Sequence, residues 1–279
     1  MIARHLTRFL GPAVVAASGL SASALLGSAI PSATAQPCPD VQVVFARGTG
    51  EDPGVGPTGQ AFVDNLRPRI GGRSLDVYPV NYPATRDWET GLDGIRDAGA
   101  HVVSMAHDCP NTKMVLGGYS QGAAVMGFVT SAAVPDGVDP ATVPKPMDPE
   151  VANHVASVVL FGMPNVRAMN FLKEPPVAIG PLYQPKTIKV CAPEDPVCSD
   201  GMNFSAHDTY ADDGAMIDRG AAFAAGHLAE GPAGPVGPGP GGPAAPGPRW
   251  PAGPGPGGPA GPGPGGPPTV GSPHGGFGS

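Results

Sequence analysis

Beyond residue 35 the sequence has no uninterrupted apolar window of about eighteen residues, the length that a membrane-crossing helix requires. The mature protein is therefore expected to be soluble outside the cytoplasmic membrane. No cluster of Lys or Arg follows the N-terminal segment, where 16 basic residues stand against 23 acidic ones in the whole chain for a formal net charge of −7. That balance disfavours nucleic acid and anionic membrane surfaces as partners. There is no Cys-x-x-Cys pair and no histidine at ligand spacing beside any of the four cysteines, so no metal is expected. The Gly- and Pro-dense end of the chain lacks the strict Gly-X-Y triplet of collagen.

What is present begins with a leader. Arg4, His5 and Arg8 precede a nearly uncharged run from Phe9 to Ile30, and Ala33-Thr34-Ala35 stands before Gln36. This is the pattern of a secretory signal peptide over residues 1–35, with cleavage after Ala35. A membrane anchor is the competing reading, but Gly11, Pro12, Gly19 and Gly27 break the run. Export places Cys38, Cys109, Cys191 and Cys198 in an oxidising compartment, where pairing is the default. Three connectivities are open; Cys191 and Cys198 are close enough to close a short loop, which would leave Cys38 with Cys109. From residue 231 to 279 the chain is Gly and Pro with little else, a composition that cannot bury a core and is expected to be disordered. The folded domain is expected over residues 36–230.

Within that domain apolar, β-branched runs alternate with segments of helical period, the pattern of an α/β fold with a mostly parallel sheet covered on both faces. Strands are expected at Val41–Ala46, Ser74–Val80, Lys113–Gly117, Val155–Phe161 and Thr187–Val190. Between Asp87 and His107, Trp88, Leu92, Ile95, Gly99, Val102 and Ala106 share one helix face, and Ile217, Ala221, Ala224 and Leu228 do so over Ala215–Leu228. Both stripes are read as core rather than as a ligand box. The Pro-rich stretches Val134–Glu150 and Met163–Pro185 lack periodicity and are read as long surface loops.

The chemistry concentrates at Gly118-Tyr119-Ser120-Gln121-Gly122, with the apolar run Met114-Val115-Leu116 before it and Ala123–Val129 suited to a helix after it. A G-x-S-x-G sequence between strand and helix turns sharply enough to expose the serine, while the helix N-terminus directs N–H groups at charge developing on a substrate oxygen. Serine needs a base and an orienting carboxylate, which follow it in this architecture as Asp/Glu and then His. Of the later histidines, His274 lies in the tail and His227 inside the terminal helix, which leaves His207 in a loop. Glu194, Asp195, Asp200, Asp208, Asp212 and Asp213 are all nearby acids. Asp195 sits inside the Cys191–Cys198 loop, directly after a strand, where a disulfide would hold its carboxylate still. The backbone N–H of Gln121 is one expected oxyanion donor, and Thr49, in the segment Phe45-Ala46-Arg47-Gly48-Thr49-Gly50, is the expected second.

Taken together, Phe45–Thr49, Gly117–Ala123, the segment Cys191-Ala192-Pro193-Glu194-Asp195-Pro196-Val197-Cys198 and the following His207 resemble the cutinase family, most closely the cutinase-like esterases of mycobacteria and related actinobacteria. The resemblance covers nearly all of residues 37–228 and leaves out the Gly/Pro tail. It implies an α/β-hydrolase with a central five-stranded parallel sheet and no large lid. It also implies Ser120 as nucleophile, Asp195 as orienting acid, His207 as base, and disulfides Cys38–Cys109 and Cys191–Cys198. Thr49 stands where fungal members often carry serine. In the stretch Met163–Pro185, the apolar Met169, Phe171, Leu172, Val177 and Ile179 are candidates either to line an acyl pocket or simply to pack.

The expected activity is hydrolysis of carboxylic esters with short to medium acyl chains through an acyl-enzyme, without a cofactor, by a secreted monomer. The rival within enzymes is a lipase or phospholipase acting on lipids. The rival of another class is a non-catalytic, wall-associated binding protein on a hydrolase scaffold, with the tail attached to the cell wall.

Overall fold

The computed structural model describes residues 37–230. The leader over residues 1–35 and the tail over residues 231–279 therefore lie outside the described residues. Among the described residues no helix is long and apolar enough to cross a membrane.

Five strands form one parallel sheet: β1 (Val41–Ala46), β2 (Leu75–Pro79), β3 (Lys113–Tyr119), β4 (Val155–Phe161) and β5 (Thr187–Val190), in the spatial order β2-β1-β3-β4-β5. Strand side chains alternate between faces, so each β-branched run feeds two cores. Val44, Leu116, Val158 and Leu160 point to one face, where α2 (Gly91–Asp108) and α3 (Gln121–Val129) cover them with Val102, Val125 and Met126. Val43, Phe45, Val159 and Phe161 point to the other, covered by Phe62 and Leu66 of α1 (Gly56–Leu66) and by Ile217, Ala221 and Leu228 of α5 (Gly214–Glu230). The stripe expected over Ala215–Leu228 is thus core, as read.

The strand order reverses between β1 and β3: the chain leaves β1 to one side for β2 and returns to the other for β3. The crevice at the carboxyl ends of such a pair is where open α/β sheets hold ligands. Here it receives the segment after Ala46 and the turn after Tyr119. Cys38 pairs with Cys109, tying the chain before β1 to the end of α2, and Cys191 pairs with Cys198 directly after β5.

Three details depart from the sequence reading. Helix α1 stands where no helix is expected from sequence, because its Gly-Pro-Thr-Gly opening carries no apolar period. The stretch Met163–Pro185 is not all loop: Asn165 caps a short helix α4 (Val166–Leu172) by accepting from the Ala168 N–H at 2.9 Å. Of the face read as core, Val102 is buried in it and Ile95 and Ala106 pack against it, but Trp88, Leu92 and Gly99 are only half-buried and, with Ile95, line a cavity.

Candidate active site

Tyr119 ends β3, Gln121 begins α3, and Ser120 alone turns the chain between them at φ 54°, ψ −118°. That left-handed backbone is strained for a residue with a Cβ. Its neighbours explain how the turn closes. A Cβ on Gly118 would lie 2.3 Å from the Gly122 carbonyl oxygen, and one on Gly122 would lie 2.0 Å from that of Ala46. Only glycine lets strand and helix approach this closely. The turn is fixed by Ser120 N–H donating to the Phe161 carbonyl at 2.9 Å and by Ala124 N–H donating to the Ser120 carbonyl at 3.1 Å.

The three residues read from sequence come together. His207 Nε2 lies 2.8 Å from Ser120 Oγ, and His207 Nδ1 lies 2.8 Å from Asp195 Oδ2. Asp195 is fully buried. Burial pushes its carboxyl pKa up, but hydrogen bonds from His207, the Val197 N–H and Tyr210 outweigh this and hold the group below its ordinary value. An ionised Asp195 accepts from Nδ1–H, which leaves Nε2 as the acceptor facing the serine hydroxyl. The arrangement can draw a proton from Ser120 Oγ and hold the imidazolium that results. Glu194, Asp200, Asp208, Asp212 and Asp213 are exposed. His227 sits on α5 against Phe223, with ring centroids 4.5 Å apart, and faces Glu230.

Two tyrosines complete the site, and sequence reasoning missed both roles. Tyr210 donates to Asp195 Oδ2 at 2.8 Å while its hydroxyl accepts from the Ala192 N–H at 2.9 Å. Tyr119 stacks on the His207 ring with centroids 5.3 Å apart and donates to the His207 carbonyl at 2.6 Å, so ring and backbone of the histidine are gripped by one side chain. Gly162, at φ 56°, leaves room for the imidazole: a Cβ there would lie 3.1 Å from His207 Cε1. Tyr119 lies inside the motif that drew attention to Ser120; nothing in the sequence marks Tyr210.

Of the expected oxyanion residues, Gln121 directly follows Ser120, and Thr49 lies in the segment after β1. Gln121 is fully buried, its backbone N–H opens α3, and its side-chain Nε2 donates to the Thr85 carbonyl at 3.0 Å, while Oε1 has no partner among the described residues. Thr49 is half-buried in a segment pressed against Tyr119, since a Cβ on Gly48 would lie 2.6 Å from the Tyr119 ring. The Glu51 carboxylate accepts from Gly48 N–H at 2.6 Å, and Gly50 N–H donates to the Ala84 carbonyl at 2.7 Å. Beneath them the buried Arg47 guanidinium donates to the carbonyls of Glu51 at 2.9 Å and Tyr82 at 2.6 Å. Burial pushes the Glu51 carboxyl pKa up, partly offset by the Gly48 bond and by Arg47.

Cys191, Asp195 and Cys198 lie close enough together to suggest a metal cradle. Both sulfurs are spent in the disulfide and the carboxylate oxygens are taken by Val197, Tyr210 and His207, so this set does not fit a metal.

A cavity of about 240 Å³ opens beside Gln121 and runs between α2 and α3 under the segment from Ser131 to Met147. Met169, Glu174 and Pro175 also line it. Of the apolar residues singled out in Met163–Pro185, Met169 is therefore wall, Phe171 is 87% exposed, and Val177 and Ile179 pack near Gly127 in the core.

The family model described as Cutinase matches residues 37–228. A probable carboxylesterase of Mycobacterium tuberculosis, Culp5, is 60% identical over 167 residues, which is 60% of this chain and 95% of that protein. The carboxylesterase Culp1 of Mycobacterium bovis is 44% identical over 233 residues, 82% of this chain and 98% of that protein. Among solved structures, Trichoderma reesei cutinase in complex with a phosphonate inhibitor aligns with TM-score 0.51 and 31% identity, over 69% of this chain and 78% of that one.

Proposed function

The chain belongs to the cutinase family and is a carboxylic ester hydrolase of the serine esterase kind; from that premise we propose that Ser120, His207 and Asp195 carry the reaction. Ser120 Oγ attacks the ester carbonyl as His207 Nε2 takes its proton, and Asp195 stabilises the imidazolium. The backbone N–H of Gln121 and Thr49 hold the tetrahedral oxyanion. His207 then returns the proton to the leaving alcohol, and water repeats the sequence on the acyl-enzyme. The observation that carries this reading is the position of His207, 2.8 Å from both the serine hydroxyl and the buried carboxylate.

Hydrolysis of p-nitrophenyl esters by residues 36–230, compared with a Ser120→Ala variant shown to be folded, is the direct test. Loss of at least a thousandfold in kcat supports Ser120 as nucleophile; equal activity rejects it. A non-catalytic scaffold would have no reason to keep the serine, imidazole and buried carboxylate in register.

Action on lipid surfaces is the second reading. It is favoured by Met202 and Phe204, exposed on the very loop that carries His207, and by Phe171 on α4. A jump in rate on emulsified long-chain esters above their solubility limit supports it; a smooth saturation curve through that limit does not.

The leader sequence supports export with cleavage before Gln36, which mass spectrometry of the secreted protein checks. Attachment of the Gly/Pro tail to the cell wall is tested by cell fractionation with and without residues 231–279, and an unchanged distribution rejects it. A monomer is the proposed state, with light scattering of the purified chain as its check.

A further inference from the structure

We propose that the cavity between α2, α3 and the segment Ser131–Met147 receives the acyl chain of the ester and limits it to about ten carbons. The inference rests on Ser120 as the acylated residue.

Its position makes the case first. Both helices start at the carboxyl edge of the sheet, where the serine turn lies, and run away from it. Trp88, Gly91 and Gln121 line one end of the cavity and Gly99 and Val129 the other. Eight helical steps, from Gln121 to Val129 or from Gly91 to Gly99, span about 12 Å. An extended chain of C–C bonds of about 1.5 Å advances about 1.3 Å per carbon, so that length holds about nine methylenes beyond the carbonyl.

The lining makes it second. Trp88, just before α2, and Leu92, Ile95 and Gly99 on it have the period of a core face; Ile95 also packs against the core, and all four line the cavity together with Val125, Phe128 and the Pro-rich roof. The apolar side chains of the wall forgo dispersion contacts on their open side. A methylene chain restores those contacts and brings no polar group that would need a partner. Gly99 shows that the space is real: a Cβ there would meet no atom within 4 Å.

The mouth makes it third. Glu89 and Glu174 stand at the end beside Gln121, and burial together with Glu89 and Asp87 pushes the Glu174 carboxyl pKa up. A free carboxylate is repelled there, whereas an uncharged ester is not. Ser120 does not itself line the cavity but directly precedes Gln121, which does, so a chain entering tail first leaves its carbonyl at Ser120, and the released fatty acid, now anionic, is repelled by the two carboxylates.

The test is a p-nitrophenyl ester series from acetate to palmitate on the wild type, Gly99→Phe and Leu92→Trp, each confirmed folded by circular dichroism. Gly99→Phe fills the far end and replaces a helical glycine, a change that favours the helix. The ratio of kcat/KM for decanoate over acetate is expected to fall at least tenfold in Gly99→Phe, with butanoate and hexanoate spared. In Leu92→Trp, nearer the mouth, the fall begins at hexanoate. Two folded variants with the wild-type chain-length profile, or with identical cut-offs, overturn the proposal.

Titration of Ser120→Ala with methyl decanoate separates this from the catalytic assignment. Binding weakened at least tenfold by adding Gly99→Phe supports the cavity even if Ser120 proves not to be the nucleophile. Binding that Gly99→Phe leaves unaltered overturns the cavity whatever Ser120 does.

Discussion

Tyr210 and His207 converge on a single oxygen: the phenol and the imidazole Nδ1 each lie 2.8 Å from Asp195 Oδ2. The tyrosine is wholly buried and itself accepts from the Ala192 N–H, so it links the orienting carboxylate to the backbone just beyond β5. In the proposed mechanism its hydroxyl acts only through Asp195 and His207, which makes it a positioning residue.

Tyr210→Phe removes one charge-assisted hydrogen bond and strands the Ala192 N–H. A loss of about tenfold in kcat/KM is expected, corresponding to roughly 1.4 kcal/mol of the bond's worth, with KM for short esters little altered. The same variant is expected to unfold at higher pH in acid titration. Asp195 has a depressed pKa when folded, so it contributes stability above the unfolded carboxylate value near pH 4 and loses it as pH falls through the folded one. With one donor gone the folded pKa rises and that contribution shrinks. Circular dichroism between pH 2 and 5 reads the shift.

Ser120→Gly is expected to be inactive yet more stable than the wild type. The residue occupies φ 54°, ψ −118°, a conformation that costs a side-chain-bearing residue about 1–3 kcal/mol and glycine little. Thermal unfolding is the measurement: Ser120→Gly should melt a few degrees higher, whereas Ser120→Ala, which keeps its Cβ, should not.

Glu51 holds Gly48 N–H in the segment that carries Thr49, the proposed second oxyanion residue. Glu51→Ala is expected to lower kcat about tenfold, while Glu51→Gln, which still offers an acceptor oxygen, restores most of it. Because burial raises the folded pKa of Glu51, its ionisation weighs against folding as pH rises through that value, and its stabilising contribution is fully present only below the unfolded one. Glu51→Gln should therefore be no less stable than the wild type at pH 7, as urea titration would record.

The two disulfides should separate in their effects. Cys38–Cys109 spans 71 residues and Cys191–Cys198 only 7. Loop-closure entropy gives about 4 kcal/mol for the first and about 2.5 kcal/mol for the second. Replacing the first pair by serine should mainly lower the urea midpoint with kcat held. Replacing the second should cost less stability but most of the activity, because Asp195 lies within that loop.

Much of this site was legible because its residues lie in short segments with local logic. The strand–turn–helix around Ser120 announces itself through two glycines whose Cβ atoms have no room. Asp195 stands out by its place between two cysteines, and His207 by elimination among three histidines. Tyr210, Glu51 and Arg47 were not legible, since their partners are supplied by segments that only the folded sheet brings together. The α2 stripe teaches a different lesson. Periodicity of Trp88, Leu92, Ile95 and Gly99 gave the helix and its apolar face, but a period cannot say whether that face meets side chains or a cavity. In α4 the flanking prolines masked a seven-residue helix too short to show a period.

The segment from Ser131 to Met147 joins α3 to the turn before β4 and roofs the cavity without supplying any member of the serine, histidine and aspartate set. In the proposed mechanism, bond breaking and selection by size fall to different stretches of chain. Lengthening, shortening or resequencing the roof would retune which molecules are accepted while the reaction machinery stays intact. Such a division lets one scaffold diversify its diet by drift in a single connection, and it marks residues 131–147 as the first place to randomise when an altered preference is wanted.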